Sequence, residues 1–146
     1  MSYAGSRMTT FAADASGLHI GIAECVKRNY RPLHIIGDNS VLVNQHRRRK
    51  PPKAQHLRNL YWKCRRKLAC TDVHAWHVRQ RGENMMVDQL ANMAIETGRS
   101  TQVQLEGHPD IARRYERALC HMKEDITDWM VSMEDTTQVD FVADNQ

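Results

Sequence analysis

Three aspartates carry the residue type and the spacing that metal-assisted hydrolysis needs. Asp38 follows Leu33-His34-Ile35-Ile36-Gly37, a short apolar run stopped by glycine, so it offers a carboxylate at the C-terminal end of a predicted buried strand. Asp14 lies in the first turns of one predicted helix, and Asp88 in the first turn of another, four residues after Asn84. Ligands of open α/β sheets bind at the carboxyl ends of strands. Mg²⁺ takes carboxylate oxygens at ~2.0–2.1 Å and keeps several waters. Two such ions ~3.5–4 Å apart activate a water and stabilise the leaving oxygen of a phosphodiester. Each aspartate also has a purely structural use. Asp38 can cap the helix that follows it, and Asp14 and Asp88 can favour a helix dipole. All three meeting at one sheet edge would favour the metal.

The elements that must position them read as follows. Thr9 and Thr10 are N-cap candidates for a helix with Phe11, Ala15, Leu18, Ile22 and Val26 on one face, ending near Asn29. A strand over 33–37 follows Pro32, and Asn39 or Ser40 can cap a short helix to about Gln45. Beyond Pro51-Pro52, the spacing of Leu57, Leu60, Tyr61, Cys64 and Leu68 predicts a helix over 54–69, and 73–78 reads as a second strand. Arg79 to Glu83 is a polar loop, and Asn84 is placed to cap a helix that Gly98 ends near Thr97. Pro109 opens a long helix from Asp110 to about Met133, striped with Ile111, Tyr115, Leu119, Met122, Ile126 and Trp129, and the last dozen residues read as disordered. Two strands separated by helices predict a parallel pair in an α/β sheet. Two strands alone make a poor sheet, so strands are expected to be missing.

Charge along the 146 residues is polarised. Residues 1–104 hold seventeen Lys and Arg against seven acids, and residues 105–146 hold four against ten. The division predicts a domain over 1–104 and an acidic helical extension over 105–146. His46 to Lys67 carries ten Lys and Arg and no acid, the footprint of a polyanionic partner. No apolar run approaches a membrane span, and the N-terminus lacks a signal-peptide core. Cys25, Cys64, Cys70 and Cys120 form no CxxC pair, so an intracellular chain, cytoplasmic or nuclear, with reduced thiols is expected. A zinc site at Cys64, Cys70, His74 and His77 matches no common module. The eight histidines read mostly as surface residues.

Three segments carry a family resemblance. Thr9-Thr10-Phe11-Ala12-Ala13-Asp14-Ala15-Ser16-Gly17-Leu18 resembles a helix with an A-E-x-x-x-L core. Leu33 to Gln45 resembles a strand ending in G-D-S. His77 to Asn92, with Asn84, Asp88, Leu90 and Ala91, resembles a loop followed by N-x-x-x-D-x-L-A. Together, in this order, they resemble ribonuclease H of type 1, in the form found in retroelement polyproteins, over about residues 1–100. The resemblance implies a two-metal endonuclease that cuts the RNA strand of an RNA–DNA hybrid. It implies Asp14, Asp38 and Asp88 as catalytic carboxylates on Mg²⁺ or Mn²⁺, and Asn39 and Asn84 as contacts to the hybrid backbone. The basic segment, with Arg47, Arg48, Arg49, Lys50 and Lys53, would take the hybrid's phosphates.

The departures shape the expectation. Aspartate stands at 14 where the family has glutamate, one methylene shorter. Thirteen residues without an acid precede Asp14, so the Asp of the family's first strand has no counterpart. Residues 2–5 resemble the end of the third strand. The expectation is an N-terminally truncated, incomplete ribonuclease H-like α/β fold with an extra C-terminal helix. Its missing strands would come from a protein partner or from the rest of a polyprotein, and its catalysis would be impaired. The competing class is a non-catalytic remnant that binds nucleic acid or another protein.

Overall fold

Backbone capping and apolar spacing set the order of elements in the computed structural model, which describes residues 9–103 and 109–143. The order is α1 (Thr10–Lys27), β1 (Leu33–Gly37), α2 (Ser40–Arg47), α3 (Gln55–Leu68), β2 (Val73–Val78), a 3₁₀ turn (Arg81–Glu83), α4 (Met85–Thr97), α5 (Pro109–Arg114) and α6 (Glu116–Ala143). The third-strand remnant expected at residues 2–5 and the domain boundary expected at 104 lie outside the described residues. The chain forms two compact units, dividing between Arg79 and Gln80.

In the first unit, Thr9 caps α1, its hydroxyl accepting from the Ala12 amide at 3.2 Å. Asn29 ends the same helix in the left-handed region at φ 56°, and the Tyr30 amide reaches back to the Cys25 carbonyl at 2.9 Å. The apolar face of α1 meets that of α3: Ile22, Cys64 and Leu68 form the buried core, with Leu18, Val26, Ile35, Val73 and Trp76 packed around them. Burying a side chain of Ile or Leu size contributes about 1.5–3 kcal/mol, so this seam holds α1 and α3 against the sheet.

β1 and β2 pair in parallel, as expected, with Ile35 opposite Trp76 and Gly37 opposite Val78, and the register shifts between Leu33 and His34. The Arg79 amide donates to the Gly37 carbonyl at 3.0 Å, carrying the ladder to the end of β1. The architecture is a mixed α/β fold with a two-stranded parallel sheet, compatible with an incomplete ribonuclease H-like fold.

In the second unit, α4 packs against α6, and α5 against α6. Gly98 ends α4 at φ 60°, a conformation that suits glycine. Two expectations fail here. The single helix expected from Asp110 is broken by a turn at Tyr115 into α5 and α6, and α6 continues to Ala143 instead of stopping near Met133. Among the described residues no helix is long and apolar enough to cross a membrane.

Candidate active site

The strand end is built by three consecutive residues with different duties. Gly37 closes β1 where a Cβ would lie 3.2 Å from Cγ2 of Val43, so glycine lets α2 approach the strand end. Asn39 caps α2, its Oδ1 accepting from the Leu42 amide at 3.2 Å. Asp38, between them, is exposed and makes no hydrogen bond or ion pair among the described residues. The capping use open to Asp38 is therefore taken by its neighbour.

Asn39 does a second thing. Its Nδ2 donates to Oδ2 of Asp14 at 2.8 Å, tying the second turn of α1 to the end of β1. Asp14 is half-buried beside the buried Ala15. It is the fifth residue of α1, and no acid occupies the first turn. The helix-dipole reading loses force for Asp14, because that effect fades beyond the first turn. Through Asn39, Asp14 is thus held one residue away from Asp38.

Asp88 belongs to the second unit. It lies in the first turn of α4, where a carboxylate favours the dipole. Its Oδ1 accepts from Nη2 of Arg81 at 3.2 Å and its Oδ2 from Nδ2 of Asn92 at 3.4 Å. Asn84 occupies the N-cap position of α4 but makes no side-chain cap bond. The carboxylate of Asp125 on α6 does that work, accepting from the Met85 amide at 3.1 Å and the Met86 amide at 2.8 Å. The backbone amide of Asn84 donates to the Arg81 carbonyl at 3.2 Å, while its side chain makes no hydrogen bond among the described residues. Sequence spacing could not reveal Asp125, whose partners lie some forty residues earlier in the chain.

The basic segment begins where α2 ends. Arg49 takes the left-handed region at φ 55°, and the Lys50 amide reaches the Gln45 carbonyl at 2.9 Å, the same helix-ending geometry as at Asn29. Glycine is the residue that position favours, so an arginine is held there at some cost. Arg47, Arg48, Arg49, Lys50 and Lys53 are all exposed. Behind them His46 is 2% exposed and stacks on Tyr61 and on Trp76, with ring centroids 4.7 and 5.6 Å away. Burial, and then the charge of Arg65, push its pKa down to about 4, so it is neutral inside the fold. Arg65 Nη1 donates to the His46 carbonyl at 3.3 Å, and Arg58 Nε to the Pro52 carbonyl at 3.0 Å. These bonds fix the turn from which the cations project.

Burial raises the Cys64 thiol to about 12, which makes it a core residue and not a nucleophile. His74 and His77 meet a third histidine from β1: His34 stands 4.8 Å from His74 and 5.4 Å from His77 between ring centroids. Among the described residues no group of three or more His, Cys, Asp or Glu is arranged to hold a metal ion.

A family model described as reverse transcriptase-like matches residues 1–94 of the chain. No curated protein and no solved structure matches it.

Proposed function

The chain belongs to the reverse transcriptase-like family, a ribonuclease H-like domain of retroelements, and from that premise we propose that it binds RNA–DNA hybrids and hydrolyses their RNA strand, as ribonuclease H of type 1 does. The observation that carries the reading is the Asn39 bridge, which ties Asp14 to the residue that follows the uncommitted Asp38 at the end of β1.

The donor chemistry suits a hard cation. Asp14 and Asp38 offer carboxylate oxygens with no thiol or imidazole among them, and one or two carboxylates are what Mg²⁺ needs beside its waters. Asp14 and Asp38 would hold Mg²⁺ or Mn²⁺. Such ions, when bound, supply an activated water and neutralise charge at the phosphodiester. The protein's own residues do the rest. Asn39 orients the Asp14 carboxylate by charge-assisted donation. Asn84, spared from capping, is available to a sugar or phosphate oxygen. Arg47, Arg48, Arg49, Lys50 and Lys53 supply phosphate contacts that position the hybrid without reading its sequence.

One observation favours a second reading. Asp88 is already paired with Arg81 and Asn92, and Asp14 with Asn39, so two of the three carboxylates have partners within the chain. On that reading the domain binds nucleic acid and does not cut it.

The two are separated by binding and cleavage measured on one labelled hybrid, with Mg²⁺, with Mn²⁺ and with a chelator. Metal-dependent loss of intact RNA supports hydrolysis. Binding that survives the chelator and weakens steeply with salt, with RNA left whole, supports the second reading.

A further inference from the structure

Helix α3 presents a face that the strand-end site does not use. Trp62 is 50% exposed at its centre. Leaving an indole in water forgoes burial that the core would otherwise reward, so packing does not explain it. Arg58 and Arg66 stand one turn before and one turn after it on the same side of the helix, and Lys63 follows it directly. Lys63, Arg66 and Lys67 have no ion-pair partner among the described residues. All three are close enough to His19 on α1 to lower its proton affinity, after the larger effect of burial, so the cations run from Trp62 toward the α1–α3 seam. No acid occurs between His46 and Lys67.

The indole is also braced. Tyr61, 4% exposed, meets the Trp62 ring edge-on at 5.1 Å and 81°. Tyr61 in turn stacks on His46, and His46 on Trp76 of β2 at 5.6 Å and 5°. A ladder of four rings thus runs from the sheet to the surface and ends on Trp62. A rigid aromatic ring loses little freedom on binding, which is what a stacking platform requires.

We infer that the Trp62 face of α3 binds single-stranded nucleic acid, with an unpaired base stacked on the indole and the adjoining phosphates on Lys63, Arg66 and Lys67. Charge alone fits any polyanion, but an exposed indole among cations fits a ligand that alternates flat rings with phosphates. A base within a duplex is already covered on both faces by its neighbours, so the indole has nothing to offer it. An unpaired base has a free face. The surface is therefore suited to a strand running out of a hybrid rather than to the hybrid itself. The inference rests on the nucleic-acid reading above and goes beyond it in naming the strand and the residues.

The test is fluorescence anisotropy of the full chain with two labelled probes, a 12-nucleotide oligouridylate and a blunt 12-base-pair RNA–DNA hybrid. Base–aromatic stacking predicts that Trp62→Ala weakens the single strand about tenfold or more, changes the hybrid less than twofold, and leaves the thermal melt within a few degrees. Trp62→Phe should recover most of the loss. Lys63→Gln with Lys67→Gln should flatten the salt dependence for the single strand. If Trp62→Ala leaves single-strand binding unchanged, or weakens both probes equally, the inference is overturned. Equal binding of an oligoglutamate through the same cations, indifferent to Trp62, overturns it as well. If the wild type binds the hybrid and not the single strand, this inference alone falls. If it binds neither, the nucleic-acid reading falls with it.

Discussion

Asn39 joins two helices through one side chain: its amide nitrogen donates to the Asp14 carboxylate at 2.8 Å while its amide oxygen accepts from the Leu42 backbone at 3.2 Å. The two bonds can be separated by mutation. Asn39→Ser keeps a capping oxygen and loses the donor to Asp14. Asn39→Ala loses both. We expect Asn39→Ala to lower stability by about 1–2 kcal/mol, the usual cost of a lost cap with a second bond removed, and Asn39→Ser by less. Both should release Asp14. Urea unfolding measures the first effect, and the carboxyl carbon shift of Asp14 the second.

Arg49 gives a prediction in which stability and binding move in opposite directions. It holds φ 55° at the end of α2, where a side chain costs about 1 kcal/mol. Arg49→Gly should therefore leave stability unchanged or raise it by up to about 1 kcal/mol, and should weaken hybrid binding with a shallower salt slope. A stable variant with undiminished binding would remove Arg49 from the interface.

His46 predicts a pH dependence. Folding lowers its pKa from 6.5 to about 4, so between those values the unfolded chain takes up a proton that the folded chain refuses. The contribution of neutral His46 is complete above pH 6.5 and is lost as the pH falls toward 4. The loss is on the order of 2–3 kcal/mol. Its Nδ1 has no partner in the fold, so His46→Phe keeps the ring stack and abandons no hydrogen bond at that atom. Stability of His46→Phe should fall less between pH 6.5 and 4.5 than that of the wild type, by thermal or urea unfolding.

Asp125 predicts local opening. Its two oxygens satisfy the first two amides of α4, which no side chain near Asn84 does. Asp125→Ala should cost about 1–2 kcal/mol and should speed hydrogen exchange at Met85 and Met86 before it affects α1 or α3. Uniform exchange across both units would contradict this.

The elements with local signals were legible from sequence. Pro32 and Gly37 bounded β1, the spacing of Tyr61, Cys64 and Leu68 marked the buried face of α3, and Thr9 marked the start of α1. Pairs of adjacent candidates were not resolved. Asp38 and Asn39 can both cap, and only the geometry assigns the cap to Asn39 and leaves Asp38 exposed. Long-range capping was invisible, because Asp125 gives no sign of reaching Met85. The turn at Tyr115 was missed because neither glycine nor proline stands there. The helix-ending Arg49 was read only as charge, since nothing in a run of arginines shows that one of them is left-handed. Trp62 passed unnoticed because an aromatic inside a helix reads as core until its exposure is known.

Cleavage of the RNA strand of a labelled RNA–DNA hybrid, compared between wild type and Asp38→Asn in Mg²⁺ or Mn²⁺, decides whether Asp38 centres a hydrolytic site. A hydrolytic role for Asp38 predicts slow cleavage by the wild type, lost by at least about a hundredfold in Asp38→Asn, with hybrid binding kept within a few-fold. Intact RNA with the wild type in both metals, or equal cleavage by Asp38→Asn, would contradict it.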